Sequence, residues 1–390
     1  MQFATRSWCL NAALLLIFLF SAAAPASCGP LVSIRQNSIP EALAPRTKSA
    51  LLPGPVTDGD VQLQLFRIQG EGVEWSPNGN LVAYDCKHRD GYYNIHVCRA
   101  DGTGDHCLTT LDNGLPHRHA GSPSWGLGGR YIAFAAEKAV HPGGSIEAIP
   151  GFGGHSDIWV MLADGSKAWQ LTHTGDTKND GVIIPKFSHD GRKLSWTQRV
   201  GAAKFLQPRS WFCDWVVKVA DFVETSNGPA LENVQTFEPG GRGFYEAYGF
   251  SPDDRQIIFC SDFNSRNALK SQIYTMDASD GGNVRCLTDG TSYNEHASYS
   301  PDGKFIVWMT NKDNRNGGTD WWLMRADGSG QRRLTHFNER GYPESNDSAV
   351  YACLTHWAPN GRQLLGGVQY SLIKQEGRIF LMTLPPLETY

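Results

Sequence analysis

The chain of 390 residues is short of several things. Basic residues do not exceed acidic ones, 35 against 39, so no cationic excess is available for a nucleic acid or an anionic membrane. It has no C-x-x-C pair, which argues against a structural zinc knuckle. It has no G-x-S-x-G, no G-x-x-x-x-G-K-[ST] and no H-E-x-x-H, so serine-hydrolase, P-loop and zincin chemistry lack their signatures. The leading apolar run, Leu10 to Phe20, is too short for a comfortable membrane span. Arg6 precedes it and Ala24-Pro25-Ala26 follows, so residues 1–26 read as a secretory signal peptide. The mature chain is then expected to carry no transmembrane helix and to be secreted or periplasmic. A lipid anchor at Cys28 is the alternative. Residues 27–60 hold Pro30, Pro40, Pro45, Pro53 and Pro55 with few aromatics, and read as a flexible lead-in.

What the chain has is repetition. An aromatic residue, then Ser or Ala, then Pro-Asp-Gly or a near relative, recurs along it. The copies are Trp75-Ser76-Pro77-Asn78-Gly79, Phe187-Ser188-His189-Asp190-Gly191, Phe250-Ser251-Pro252-Asp253-Asp254, Tyr299-Ser300-Pro301-Asp302-Gly303 and Trp357-Ala358-Pro359-Asn360-Gly361. A weaker copy, Trp125-Gly126-Leu127-Gly128-Gly129, keeps the aromatic and the last Gly. Successive aromatics stand 50, 62, 63, 49 and 58 residues apart. Each phrase suits a tight turn, since Pro presets φ, Asp or Asn bonds its own backbone, and Gly accepts positive φ. Apolar, β-branched runs follow, such as Leu81 to Tyr84 and Phe305 to Trp308. A third run, such as Ile95 to Cys98, leads through Ala100-Asp101-Gly102 to a fourth that ends in Leu108-Thr109.

Four antiparallel strands per unit cannot bury both faces of their sheet alone. Six such units packed around an axis can, and they leave only short edges. The expected fold is therefore all-β, a six-bladed propeller over residues 61–390. The sixth unit lacks its last strand, and Val61 to Ile68 is expected to supply it and close the ring. The units resemble the repeats of TolB-type six-bladed β-propellers, over roughly residues 61–384. That group is similar to periplasmic scaffold proteins, to the propeller halves of prolyl peptidases and to oligogalacturonate lyases.

In a propeller the first strand of every blade lines the central channel. Five residues before the repeated Ser, three units carry a carboxylate: Glu71, Glu246 and Glu295. The other three carry Gly121, Ile183 and Cys353. His296 follows Glu295, His117 and His119 precede the second unit's first strand, and His356 lies two residues before Ala358. These seven residues are the candidate ligand-binding set. His119, Glu246, Glu295 and His296 are the candidate metal ligands, for manganese or calcium.

The resemblance implies two functions. One is an exported scaffold that binds a protein or glycan at a propeller face or in the channel, without catalysis. The other is a divalent-metal-dependent lyase of the oligogalacturonate kind, in which the cation acidifies the proton beside a uronate carboxylate. Two insertions offer further surface: Lys138 to Ser156, and Arg199 to Trp215 with Phe205, Trp211, Phe212 and Trp215. Exposed, those aromatics would stack on a sugar or peptide; buried, they would plug the gap between blades. Cys98 and Cys107 fall on adjacent strands and are a candidate disulfide.

Overall fold

The computed structural model describes residues 61–109, 113–140, 146–177, 179–201, 212–371 and 375–387. Residues 1–26, expected as a signal peptide, residues 27–60, expected as a lead-in, Cys28 among them, and Phe205 and Trp211 lie outside these residues. Strand β1 (Gln62–Arg67) comes first. The first blade follows as β2 (Val73–Trp75), β3 (Leu81–Lys87), β4 (Tyr93–Arg99) and β5 (His106–Cys107). Then come β6–β9 (120–170), β10–β13 (181–237), β14–β17 (245–286) and β18–β21 (294–333), one blade each, and β22–β24 (351–383). Every blade is a four-stranded antiparallel sheet, and the sixth has the order β1-β24-β23-β22. The ring is thus closed by the N-terminal strand, as the missing fourth strand of the last unit required.

The repeated phrase makes the turn expected of it, with one addition. In four copies the Ser hydroxyl donates to the Asp or Asn two residues on: Ser76, Ser188, Ser251 and Ser300, at 2.6–2.8 Å. The same oxygen accepts the backbone N–H that opens the second strand, at 2.8–3.0 Å. The final Gly takes positive φ, 73° at Gly79 and 71° at Gly191 and Gly303. Asp254 does so at 58° in the fourth blade, and its carboxylate accepts the N–H groups of His189 and Asp190 from the third blade.

The fourth strands end earlier than the Leu-Thr pairs, because those pairs serve another purpose. The Thr hydroxyl accepts a backbone N–H near the head of the third strand: Thr109 from Ile95, Thr172 from Ile158, Thr288 from Ile273 and Thr335 from Trp321, at 2.8–3.1 Å. It donates to the residue just before that donor: Asn94, Asp157, Gln272 and Asp320, at 2.7–2.9 Å. The Leu N–H returns to the same strand, as Leu108 does to Ile95 at 2.8 Å. In these four blades the fourth strand is therefore clipped to its neighbour by a threonine hydroxyl, and needs few ladder bonds.

Apolar contact lies between blades. One cluster joins the first and sixth blades through Trp75, Val82, Leu365 and Ile379. Another joins the fifth and sixth through Val307, Trp321, Val368 and Phe380, and takes Leu63 of β1. Arg67, at the end of β1, crosses to the first blade, where it donates to Tyr84 Oη at 3.1 Å and Gly102 O at 2.7 Å. The register sets His96, not Cys98, opposite Cys107. The proposed Cys98–Cys107 bridge is absent because Cys98 packs into the apolar cluster between the first and sixth blades.

Removal of residues 61–68 strips the outer strand from the sixth blade and the Leu63 contacts from its core. A chain starting at residue 69 should melt on the order of 10 °C below one starting at residue 61. Circular dichroism melting measures this, and equal midpoints would show that β1 is dispensable for closure.

Candidate functional site

The innermost strands are irregular, and that irregularity builds the channel. Five of the six carry a register shift near the same place, for example between Glu295 and Ser298. Glu295 pairs with Met309 and Ser298 with Val307. The partners are two residues apart and share a face, so Glu295 and Ser298, three apart, also share one. The bulge puts Ser122, Ile184 and His296 at φ of 56°, 49° and 55°, in the left-handed region. An Ile is seldom found there, so the surrounding structure must enforce it. The consequence is two rows of side chains along the channel, five and two residues before the repeated Ser.

The second row was not anticipated from the sequence, which drew from it only His356. It holds Glu74, Ser124, Lys186, Gly249, Ser298 and His356. Lys186 of the third blade forms an ion pair with Glu74 of the first. Those blades are not neighbours, so the contact crosses the channel. Glu74 also accepts from Trp125 N at 2.8 Å and Ser124 Oγ at 3.1 Å, and His356 Nε2 lies 3.7 Å away. Burial alone would raise the Glu74 pKa, but Lys186 and then His356 hold it below the usual range. Burial lowers His356 to about 4, and its Nδ1 accepts Trp75 N at 3.2 Å. This end of the channel is a compensated network.

The first row is different. Glu246 and Glu295 come together from adjacent blades, with His296 Nε2 at 3.9 and 4.0 Å from their oxygens. Cys260 on β15 (Gln256–Ser261) completes a group whose ligating atoms, with those of the two carboxylates, lie within 4.8 Å of one another. Tyr248 donates to Glu246 at 3.2 Å. Burial raises Glu246 to about 7. Burial, and then repulsion from Glu246, raise Glu295 well above the carboxylate range, against the pull of Tyr293 and Cys260. Burial lowers His296 to about 3, so this imidazole is neutral and supplies no countercharge. Glu295 Oε1 and His296 Nδ1 have no hydrogen bond of good geometry among the described residues.

Glu71 stands apart from that pair. It accepts from Gln369, and burial followed by the Asp85 charge raises it to about 7. Asp85 itself receives the N–H groups of Glu71, Gly72 and Ser122, which ties the first blade to the second. His119 is not beside the glutamates: its Nδ1 accepts Tyr93 N at 3.2 Å, and its ring meets Tyr92 edge-on. His117 is exposed.

The two insertions are accounted for in part. Residues 146–153 fold onto the first row on the side of the second and third blades. A Cβ on Gly121 would come within 2.2 Å of Pro150, and one on Gly153 within 2.2 Å of Ile183 Cγ2. The absence of carboxylates at Gly121 and Ile183 thus matches the loop that covers them. Phe212 packs edge-on to Phe244 at 5.3 Å and Trp215 is buried, so these two aromatics fill the gap between blades.

No protein-family model matches the chain. An uncharacterized protein of Agrobacterium fabrum is 31% identical over 121 residues, which are 30% of this chain and 34% of that protein. The chain therefore matches about a third of that relative's length. Among solved structures, TolB from Acinetobacter baumannii gives a TM-score of 0.51 at 19% identity, over 79% of this chain and 64% of that one. A TolB-like protein of Agrobacterium tumefaciens gives 0.51 at 16% identity, over 85% of this chain and 100% of that one. At these identities the likeness is one of fold, and the fold is that of the TolB-type six-bladed propeller. Among the described residues no helix is long and apolar enough to cross a membrane.

Two outcomes follow from the contrast between the rows. Lys186→Met leaves Glu74 buried beside a largely neutral imidazole, and should cost about 3–5 kcal/mol, most of it recovered in Glu74→Gln/Lys186→Met. Denaturant titration measures both; an additive double variant would mean that the ion pair carries no coupling. Glu246 has a folded pKa of about 7 against an ordinary 4.5, so its favourable contribution is present below pH 4.5 and lost as the pH rises through 7. Glu246→Gln should therefore gain on the wild type between these limits, by on the order of 3 kcal/mol at pH 8 in the presence of chelator. A difference that does not change with pH would place this carboxyl in the ordinary range.

Proposed function

We propose that this chain is an exported binding propeller, a non-catalytic scaffold that takes a protein or glycan ligand at the channel mouth lined by Glu246 and Glu295. A divalent cation between the two carboxylates is part of that binding surface. The observation that carries this reading is the imbalance of the first row. Two buried carboxyl groups from adjacent blades face each other with a neutral imidazole and a thiol. One carboxylate oxygen lacks a good hydrogen bond, and no lysine or arginine is paired with either group among the described residues. Near neutral pH such a pair must keep a proton or gain a positive partner. Carboxylate oxygens with an imidazole suit manganese, and carboxylates alone suit calcium. The bound cation would present an open coordination position toward the channel, where a carboxylate or hydroxyl of a ligand can complete it.

Two features support binding over turnover. The charged groups of the second row are already engaged with one another, Lys186 with Glu74 and Glu74 with Trp125 and Ser124. The first row offers no cation besides the bound ion to stabilise a developing negative charge. Export is proposed from the leader sequence.

Calorimetric titration with manganese or calcium should give one site per chain in the wild type. The Glu246→Ala/Glu295→Ala variant should give none. Equal heats from the two proteins, or no binding at millimolar cation, would refute the channel site. Chelator-sensitive cleavage of oligogalacturonate by the same preparation would refute the non-catalytic reading and favour the lyase.

A further inference from the structure

A second group of metal-ligating side chains lies outside the channel, on the outer part of the first blade. His88 follows β3, His96 sits on β4 and Cys107 on β5. Their imidazole nitrogens and sulfur lie within 4.8 Å of one another, and all three residues are partly exposed. The register sets His96 opposite Cys107, and His88, just past the end of β3, reaches them through its contact with His96. The Nε2 atoms of His88 and His96 are 2.7 Å apart, a contact in which one ring offers its N–H and the other its lone pair.

The far side of His96 is also organised. Its Nδ1 bonds Asp105 Oδ2 at 3.1 Å, and Asp105 Oδ1 accepts Tyr84 Oη at 2.7 Å. Arg67 Nε donates to Tyr84 Oη in turn at 3.1 Å. A carboxylate on Nδ1 keeps the proton on that nitrogen and turns the Nε2 lone pair outward, as in metal-ligating imidazoles. A merely structural pair of histidines needs no such orientation and no sulfur beside it.

We infer that His88, His96 and Cys107 form a zinc site with a fourth position open to solvent. The donor set chooses the metal. One thiolate and two neutral imidazoles suit zinc, whereas manganese and calcium want oxygen. Two nitrogens on one tetrahedral zinc lie about 3.3 Å apart, so the rings must part by roughly half an ångström. Partly exposed side chains can make that adjustment. The ion would tie together three strands, including the two-residue β5, next to the Arg67 contact that joins β1 to this blade. Zinc would then reinforce the blade beside the closure of the ring.

The test uses the full chain, freed of metal by a chelator and titrated with Co2+. The Co2+ bound at this site should show tetrahedral visible bands and a near-ultraviolet sulfur-to-metal charge-transfer band, and Zn2+ should displace it. Cys107→Ser should abolish the charge-transfer band. His88→Gln, at the exposed end of β3, should weaken Co2+ binding about ten-fold or more while its circular dichroism stays native. The Glu246→Ala/Glu295→Ala variant should keep all the bands, so this site and the channel site fail independently. Binding without a sulfur band, bands that survive Cys107→Ser, or bands lost in the glutamate variant would each overturn the inference. If Cys107→Ser does not fold, unchanged affinity in His88→Gln would overturn it as well.

Discussion

Buried hydroxyl groups hold this propeller in register. Each blade must present its first strand to a common axis, and small errors in the turns would propagate to the channel. Two kinds of clip, each found in four of the six blades, limit this. A Ser oxygen stands in for a ladder partner at the turn between the first and second strands, while an Asp or Asn satisfies its proton. A Thr oxygen does the same near the head of the third strand, with Asn94, Asp157, Gln272 or Asp320 behind it. A buried backbone N–H left without a partner costs about 1–3 kcal/mol, so each clip answers a real deficit. These hydroxyls are also short and stiff. They fix the turn to within a hydrogen bond's tolerance, which an apolar contact would not.

That rigidity is why the fold was legible. The Ser-Pro-Asp-Gly phrases and the Leu-Thr pairs are the clips themselves, visible as words in the chain. They gave blade number, blade order and the closing strand. The Leu-Thr pairs, expected at strand ends, lie just beyond the strands. The difference is physical: the Thr side chain, not its backbone, makes the connection. The disulfide between Cys98 and Cys107 failed for a related reason. Strand adjacency was read correctly, but the register that seats His96 opposite Cys107 depends on hairpin geometry that composition does not report.

The channel was half legible. Equal offsets from the turn do land on equivalent places, so Glu246 and Glu295 meet from adjacent blades, with His296 beside them. What the chain does not advertise is the bulge between that row and the next. Simple alternation would send residues three apart to opposite faces, and Glu74 and Lys186 were passed over. The bulge reverses the alternation, and only ring closure brings the first and third blades within reach of each other. His119 misled because it precedes its strand by one residue, where it serves the seam with Tyr93 instead of the axis. The insertion at residues 146–153 covers the first row where Pro150 stands against Gly121, a contact between distant segments that spacing along the chain does not encode.

The two rows differ in how far their charges are met within the fold. A charge that crosses the channel to a partner, as Lys186 does to Glu74, has already used its binding energy on the fold. To recruit that carboxylate for a ligand would mean breaking a buried pair, at a cost most ligands cannot repay. The Glu246–Glu295 pair is in the opposite state. Its carboxyls are raised by burial and by each other, so the folded protein carries an electrostatic debt at this point. Whatever positive group relieves it binds with that relief added to its own contacts. A site of this kind is costly to keep for the fold alone, since two apolar side chains would pack there more cheaply. The same channel thus has one row whose charges are met within the fold and one whose charges are not, and the proposed binding site rests on that difference.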